Sequence, residues 1–574
     1  MARPRQGEGI KRTIRQRGDK FYAYEVTSEM VDGRKHTVSR YLGRVDPDTG
    51  ELLEKIPEKS RETREKIAKG REITRLSELE VGDYGGVYLL DGIQRRIGLG
   101  KDLIDSFGGM AKTMLVTAET LVQCNGVFDS VQGALQRTWG RQYYGLSGSL
   151  DSGSLSRITK EIGMKAEANI EGFFRRRIAR NKGLVAWDTT TKGCHSDMEG
   201  LAEYVKGDKD NEDLRQIKIG FATDKRGVPL MYRIFPGNVS DMDTVKLLAG
   251  EIDSYGGEDP LFVCDRGFES GWNIDYLLRN NHRFVMPANT SSSAVKKLMT
   301  EFKSSEDRED LEYDGHMYTV WKTALSVTPS PEDRRKADGD LAYDLVNLNG
   351  DSGIPGPMLT AFVCYDSKKY SDEVQRHNKM ISDLKKKAAT IDCRDPEAEF
   401  KRFAGAAAKH FDLFPDGRKI TVKEKQNSLS FVKNRAGLFV MLASPGVEWE
   451  VAMSAYDARR LTEQAFNFSK EESSRFYTSD KESMKGREFI RFLDLILRCE
   501  ISAELREAKM DHRISVSSAV SMADCIQARR VGETAMLTEV DKAARNLFGL
   551  FGIPVPKEVV VDSQVCSLEE LLSL

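Results

Sequence analysis

Two acidic residues of the 574-residue chain are placed where a folded sheet could bind a ligand. Asp188 and Asp265 each follow a short apolar run, "LVAW" and "LFVC", which predicts a carboxylate at the end of a buried strand. Such strand ends form the edge at which open α/β sheets bind ligands. Two carboxylates held close together repel each other unless a cation lies between them. A divalent metal ion is therefore the expected partner of this pair.

A third acid belongs to a predicted helix, "AYDARRLTEQAFNFSK" at 455–470. At about 100° per residue, one face of this helix carries four polar side chains within about 60° of one another. We call them the polar stripe: Tyr456, Arg459, Glu463 and Lys470. The opposite face is apolar and is expected to pack on a core: Ala458, Leu461, Ala465 and Phe468. A solvent-exposed face of mixed charge is the alternative interpretation of the stripe.

These residue types suit metal-dependent phosphoryl transfer. Mg²⁺ prefers oxygen ligands and keeps positions for water and for substrate phosphate oxygens. If the helix packs beside both strands, Glu463 is expected to join Asp188 and Asp265 as a metal ligand. Two ions about 3.5–4 Å apart would then support an in-line phosphoryl displacement. The other three residues of the polar stripe are expected to hold phosphates of the nucleic-acid strand that is cut.

The motifs around these residues resemble those of the DDE transposases of bacterial insertion sequences. The resemblance is to the cut-and-paste group marked by a tyrosine–arginine–glutamate–lysine signature, Tyr-x2-Arg-x3-Glu-x6-Lys, which the polar stripe meets in full. Asp188 stands in "WDTTT", similar to the family's D-x-T, and Asp265 stands in "DRGF", similar to D-x-G-[FY]. The segment "FPGNVSD" at 235–241 is also similar to the family. The resemblance covers about residues 180–290 and 435–500.

The resemblance implies an α/β fold with an RNase H-like catalytic core and a β-rich insertion between the second and third acids. It implies that Asp188, Asp265 and Glu463 are catalytic and bind Mg²⁺, or Mn²⁺ in its place, with two ions per active site. Nicking, attack of the freed 3′-hydroxyl on the opposite strand and opening of the resulting DNA hairpin would excise the element. The implied partners are double-stranded DNA with terminal inverted repeats, target DNA and a second copy of the chain in a homodimer.

Two other functions remain as alternatives at this point. A metal-dependent nuclease of the same fold that does not transpose would share the three acids but would need no assembly of paired ends. A domesticated DNA-binding protein that has lost catalysis would not need the acids, and their presence argues against it. Terminal inverted repeats and a short target duplication beside the gene would distinguish transposition from both.

Six regions are predicted around this centre, with strand, hairpin, helix, strand, helix and strand following one another in the core. They are a basic β-hairpin module and linker (1–75), a helical DNA-binding domain (76–175), the first part of the catalytic core (176–290), an inserted β-rich subdomain (291–447), the second part of the core (448–510) and a C-terminal helical region for dimerisation or DNA-end contact (511–574).

Four basic residues and one tryptophan outside the polar stripe are candidate DNA contacts. Arg34 and Lys35 lie at the tip of a hairpin that an Asp-Gly dipeptide predicts. Arg157 and Lys160 are exposed on the capped helix "SLDSGSLSRITKEIG", either in a helix-turn-helix or on a plain surface helix. Trp321 either stacks on a displaced base or packs in the core.

Composition excludes several classes of protein. The formal net charge of −2 gives no overall basic field, so DNA contacts must use local patches such as "ARPRQGEGIKRTIRQRGDK" and "KSRETREKIAKGREITR". The eight cysteines are scattered without a CxxC pair, which argues against a zinc knuckle or a disulfide framework. No apolar run approaches the roughly 20 residues that span a bilayer. We therefore expect a cytoplasmic protein that associates with the nucleoid when bound to DNA and has no membrane partner.

Overall fold

The computed structural model describes residues 11–17, 20–31, 34–53, 80–181, 183–194, 198, 200–204, 214–329, 343–347, 356–470, 475–476, 478, 480–531 and 534–563. The chain divides into two compact units. The first comprises Met1–Glu80 with Arg530–Thr534, and the second comprises Val81–Arg529 with Ala535–Leu574. The charged linker predicted at 57–75 lies outside the described residues.

The described residues of the first unit include a three-stranded antiparallel sheet. Its strands are β1 (Lys11–Arg17), β2 (Lys20–Val31) and β3 (Arg34–Val45). β2 and β3 pair up to Val31 opposite Arg34, which confirms the predicted hairpin. The side chains of Arg34 and Lys35 lie outside the described part of the chain. Lys11–Arg17 of the first basic patch form β1, which pairs with β2 from Lys11 opposite Val26.

Helices dominate the first part of the second unit. In chain order the elements are β4 (Glu80–Asp83), α1 (Gly85–Arg96), α2 (Leu99–Phe107), α3 (Ala111–Gln123), α4 (Val131–Arg137), α5 (Gly140–Tyr143), α6 (Ser152–Met164) and α7 (Ala166–Arg180). The capped helix predicted from the sequence is α6. Its N-cap is Asp151, whose carboxylate accepts a 2.8 Å hydrogen bond from the backbone N–H of Ser154.

A mixed α/β sheet follows. Its first elements are β5 (Leu184–Cys194), β6 (Arg215–Thr223), β7 (Pro229–Pro236), α8 (Asp241–Ser254), β8 (Leu261–Cys264), α9 (Gly271–Arg279) and β9 (Arg283–Pro287). They lie in the order β7-β6-β5-β8-β9. β7, β6 and β5 pair antiparallel, whereas β5, β8 and β9 pair parallel. The two parallel strands arrive through α8 and α9, as crossover connections require.

The strands that follow extend this same sheet. The elements are α10 (Ser293–Glu301), β10 (Arg308–Tyr313), β11 (His316–Pro329), β12 (Tyr343–Asn347), β13 (Met358–Asp366), α11 (Ser367–Ala389), α12 (Pro396–Ala404), β14 (Phe411–Asp416), β15 (Lys419–Glu424), α13 (Gln426–Arg435) and β16 (Leu438–Ala443). β16 pairs with β9, and β13, β11 and β10 follow outward.

The region 291–447 is therefore β-rich as expected, but most of its strands do not form a module of their own. β16 covers the edge of β9, which would otherwise present unpaired backbone groups. Between β13 and β16, α11 and α12 pack on the β14–β15 hairpin and form a small core of their own. Its centre includes Ile381, Phe400 and Phe411.

Long helices complete the second unit. The remaining elements are α14 (Trp449–Lys470), β17 (Arg475–Phe476), α15 (Lys481–Glu507), α16 (Val516–Ala523), β18 (Gln527–Val531), β19 (Thr534–Leu537) and α17 (Lys542–Leu550). α15 joins the helical region to the sheet, since Phe174 of α7 packs 5.5 Å from Phe492 and 5.3 Å from Tyr232 of β7. The core is thus continuous across the boundary predicted at residue 175.

The crossing of α6 and α15 depends on two glycines. A Cβ at Gly163 would lie 1.7 Å from the backbone oxygen of Glu482, and a Cβ at Gly486 would lie 1.8 Å from that of Thr159. The two helix backbones therefore touch directly at this point. In the described part of the chain, none of the helices combines the length and hydrophobicity needed to cross a bilayer.

Candidate active site

The two strand-borne acids lie side by side. β5 and β8 pair in parallel with Trp187 opposite Cys264, so Asp188 and Asp265 are the next residues on the two chains. Asp265 directly follows β8 with extended backbone, φ −77° and ψ 168°. Asp188 is not at a strand end as the sequence predicted. β5 continues to Cys194 because the β-branched residues after Asp188 keep pairing with β6.

α14 covers the face of the sheet on which both carboxylates lie. The residues two positions before the acids, Ala186 and Val263, point to the same face as the acids because side chains alternate along a strand. Both belong to a buried apolar cluster with Ala452 and Ala455 of α14. The helix continues from this cluster over the acids, and it carries Glu463 there.

The β6–β7 hairpin holds the second half of α14. Thr223 at the end of β6 and Thr462 of α14 share a buried hydrogen bond of 2.7 Å between their hydroxyls. Gly227 in the hairpin turn has φ +80°, and a Cβ there would lie 2.6 Å from Cβ of Leu461. A glycine is required at this turn both by its backbone conformation and by the closeness of α14. Glu463 follows Thr462 directly, so these contacts fix its height above the sheet.

Arg459 connects two of the three acids. Its Nη1 donates a hydrogen bond to Oδ1 of Asp265, and its Nη2 lies 3.3 Å from Oε1 of Glu463. Only 16% of its side chain is exposed, against 53% for Glu463. Its Nε is buried and has no hydrogen-bond partner among the described residues. The polar stripe is therefore not simply a solvated helix face, because Arg459 points inward to the acids.

The ring of Tyr456 packs against the guanidinium of Arg459. The same ring stacks on Phe439 of β16 with centroids 6.0 Å apart and an interplanar angle of 22°. The guanidinium carbon of Arg459 lies 5.5 Å from the centre of the Tyr456 ring, within cation–π range. α14 extends to Lys470, whose side chain lies outside the described part of the chain. Of the four residues predicted to pack on a core from the opposite face of α14, Ala458 and Ala465 are buried, and Leu461 and Phe468 are half-buried.

The negative charges of the acids influence one another through the pKa of Asp188. The pKa of Asp188 is raised to about 7, mainly by burial and also by the negative charges of Asp265 and Glu463. Two contacts act in the opposite direction: Oδ1 of Asp188 accepts a 2.8 Å hydrogen bond from the backbone N–H of Thr189, and Arg459 is nearby. Without an added cation, the cluster therefore retains a proton close to neutral pH.

The donor set suits a hard divalent ion in its chemistry, since it consists of three carboxylates. The thiol of Cys264 alternates to the other face of the sheet and is buried there. Among the residues that the structure describes, no three metal-binding side chains converge on one point. Positive charge at the centre comes from Arg459, which pairs with Asp265 and Glu463.

Three of the other predicted DNA contacts, Arg157, Lys160 and Trp321, lie elsewhere in the second unit. Arg157 and Lys160 are exposed on α6, where Lys160 Nζ lies 3.2 Å from Oδ2 of Asp480 and Arg157 donates to Ser154 at 3.1 Å. Trp321 is half-buried on β11 and packs against the main core, which favours the packing alternative. None of these is brought to the three acids in the described part of the chain.

Sequence reasoning missed three polar residues that hydrogen-bond near the segments carrying the two aspartates: Lys218, Asp241 and Asn273. A usable signal existed for Lys218, because a lysine within the apolar run "QIKIGFAT" must find a partner when that strand is buried. Its Nζ lies 2.6 Å from Oδ1 of Asp241, the last residue of "FPGNVSD". Asn273, which is 1% exposed, has no comparable signal because amides are common in surface helices.

The strands that carry the two aspartates also carry a similarity to a known family. Residues 184–344 match the transposase DDE domain. The match begins with β5, includes Asp188 and Asp265, and ends before α14 and Glu463. This segment is less than a third of the chain and is similar to the catalytic domain of DDE transposases.

A comparison with solved structures finds the piggyBac transposase in a synaptic complex with hairpin DNA. Identity is 11%, the aligned region covers 65% of this chain and 65% of that chain, and the TM-score is 0.20. A TM-score of 0.20 does not establish a shared fold. No curated protein matches the sequence.

Proposed function

We propose that the protein is a DDE transposase that cuts and rejoins DNA by metal-dependent phosphoryl transfer. One observation carries this proposal. Two aspartates on adjacent parallel strands lie beneath a helix that bears a glutamate, and both aspartates fall within a segment similar to the transposase DDE domain. The catalytic residues are then Asp188, Asp265 and Glu463.

The proposed core is RNase H-like. Three antiparallel strands, β7, β6 and β5, are followed by two parallel strands, β8 and β9, in one sheet, with helices in the connections. α14 then returns to the same sheet after the long insertion. This order of strands supports an RNase H-like core, which places its acids on neighbouring central strands.

The three carboxylates are proposed to hold Mg²⁺, two ions per site, with Mn²⁺ as a substitute. When bound, such ions lower the pKa of attacking water and stabilise charge on the leaving oxygen. Asp188 must lose its proton for this, and a cation between the acids favours that loss. Asp265 and Glu463 must exchange the guanidinium of Arg459 for the ion.

Arg459 is then free to hold a phosphate of the DNA. A planar guanidinium matches phosphate geometry as well as it matches carboxylate. Tyr456 would keep the guanidinium oriented through its ring, and Lys470, at the end of the same helix, is proposed as a second phosphate contact. The DNA phosphate and the acids would thus compete for the guanidinium of Arg459.

The finer steps also belong to the proposal. The protein would excise an insertion sequence by a cut-and-paste route through a DNA hairpin and would insert it into target DNA. It would act as a homodimer on paired terminal inverted repeats. Arg157 and Lys160, which are exposed on α6, would contribute to DNA binding by the helical region. Arg34 and Lys35 would contribute to DNA binding by the β-hairpin module.

The test is cleavage of labelled terminal-repeat DNA by single variants of the acids. Asp188→Asn, Asp265→Asn and Glu463→Gln keep shape and remove charge, so cleavage should be lost while DNA binding persists. Glu450→Gln, an exposed change on the same helix as Glu463, is the matched control and should cut normally. Cleavage near the wild-type rate in any of the three variants would contradict the assignment. Joining of the cut end to a second DNA distinguishes a transposase from a nuclease of the same fold.

A further inference from the structure

Asp241, at the start of α8, is linked to Asp188 through a single threonine. Its Oδ1 accepts hydrogen bonds from the hydroxyl of Thr189 at 2.5 Å and from Nζ of Lys218 at 2.6 Å. The backbone N–H of Thr189 in turn donates to Oδ1 of Asp188 at 2.8 Å. Lys218 also donates to the carbonyl of Val239 at 2.5 Å, which leaves it little freedom. Thr189 thus contacts Asp241 through its hydroxyl on one face of β5 and Asp188 through its backbone N–H.

The first turn of α8 is also fixed to the strand that carries Asp188. The indole N–H of Trp187 donates to the hydroxyl of Thr244 at 3.0 Å, and both residues are buried. That hydroxyl donates to the backbone carbonyl of Asp241 at 2.7 Å. Two connections from the same face of β5, through Trp187 and Thr189, thus tie this helix turn to the strand that carries Asp188.

The same helix turn holds the segment after Asp265. The side-chain amide of Asn273 donates to the carbonyl of Met242 and to the carbonyl of Phe268, both at 2.9 Å. Phe268 belongs to the short 3₁₀ turn that Asp265 opens. Because Asn273 is buried, these two hydrogen bonds are shielded from water and define the spacing between α8 and that turn.

We propose that Asp241 is a positioning residue for both strand-borne acids of the site. It orients Asp188 through Thr189, and the helix turn it opens sets the place of the segment after Asp265. Lys218 neutralises the charge of Asp241, which therefore offers a hydrogen-bond acceptor to Thr189 without an unpaired negative charge. This role rests on the proposed function, since it supposes that the acids bind a divalent ion.

The experiment measures Mn²⁺ binding to the full-length protein by electron paramagnetic resonance, without DNA, and DNA cleavage separately. Asp241→Asn removes the charge, and Thr189→Val removes the hydroxyl while keeping shape and the backbone N–H. Replacing a residue that orients a metal ligand typically lowers metal affinity or activity by about 10- to 100-fold. We expect each variant to lose Mn²⁺ affinity by a factor in that range, to cut DNA correspondingly more slowly and to bind DNA normally.

Two controls separate positioning from folding. Asp243→Asn changes an exposed acid in the same helix turn and should leave Mn²⁺ affinity unchanged. Because Asp241 and Thr189 act through one contact, the double variant should be no worse than the more damaging single change. Thermal unfolding midpoints verify that each variant is folded. Unchanged Mn²⁺ affinity in both single variants, or additive losses in the double variant, would overturn the proposal.

Asp188→Asn in the same titration distinguishes this proposal from the proposed function. If Asp188→Asn binds Mn²⁺ as tightly as the wild type, the acids do not form the metal site and the proposed function fails. If Asp188→Asn loses Mn²⁺ while Asp241→Asn and Thr189→Val retain it, the metal site stands and only the positioning role fails.

Discussion

Replacing Asp188 by Asn is expected to stabilise the metal-free protein as the pH rises. Burial and the neighbouring acids raise the pKa of this carboxyl to about 7 in the folded protein, whereas it is near 3.8 in the unfolded chain. Between these values the folded state binds more protons than the unfolded state, so the free energy of unfolding falls with rising pH. Asn resembles the protonated carboxyl and does not titrate, so the variant escapes this loss.

The magnitude follows from the separation of the two pKa values. They differ by about three pH units, and each unit is worth about 1.4 kcal/mol. The wild type therefore loses about 1.6 kcal/mol through this group at pH 5 and about 4 kcal/mol at pH 8. These values are upper bounds, because the side chain is partly reached by solvent. The advantage of Asp188→Asn should grow by up to about 2.5 kcal/mol between pH 5 and pH 8.

Urea unfolding of the wild type and Asp188→Asn, in EDTA at several pH values, measures this difference. Asp243→Asn, a change of the same type at an exposed position, serves as control and should show no comparable trend. Added Mg²⁺ should raise the stability of the wild type and not that of Asp188→Asn, because it binds the folded site. A stability difference between wild type and Asp188→Asn that does not change with pH would refute this account of the cluster.

Three further outcomes are expected. Arg459→Ala and Lys470→Ala should nick terminal DNA but stall before hairpin formation, because a misplacement of the DNA strand by about 1 Å lowers the reaction rate on the order of a hundredfold. A time course that resolves nicked, hairpin and released DNA checks this. Normal rates at every step would contradict it. Lys192→Met should destabilise the fold by about 2 kcal/mol in urea, because it removes the nearer of two cations beside the buried Glu488, with Lys192 Nζ at 3.2 Å and Arg491 at 3.7 Å. Adding Glu488→Gln should recover part of the loss. Joint replacement of Arg157 and Lys160 by Ala should weaken DNA binding. It should also lower the slope of log affinity against log salt concentration by about one unit per lost phosphate contact. An unchanged slope would show that α6 is not part of the DNA-binding surface.

Local patterns predicted the parts of the site that lie on single elements. The polar stripe could be read from the sequence because a helix repeats about every 3.6 residues, and α14 indeed spans all four of its positions. The Asp-Gly dipeptide likewise predicted the β2–β3 hairpin, because two residues of that type suit a tight turn.

Contacts between distant segments could not be predicted. The strand through Asp188 continues to Cys194 only because β6 pairs along its whole length, and a single sequence does not identify that partner. The addition of β16 to the edge of β9 is a similar case, so the insertion was expected as a separate module. Arg459 was expected at DNA phosphates, and its pairing with Asp265 depends on a packing arrangement that no local spacing encodes.

The distance between Asp265 and Arg459 along the chain, 194 residues, orders events during synthesis. At about 5–20 residues per second, on the order of ten to forty seconds of translation separate the appearance of the second acid from that of α14. Throughout that interval the nascent chain carries the two aspartates without Arg459, which pairs with Asp265, and without the third carboxylate. The site of a ribosome-bound chain is therefore incomplete until α14 has been made. Any product that ends before α14 never completes it.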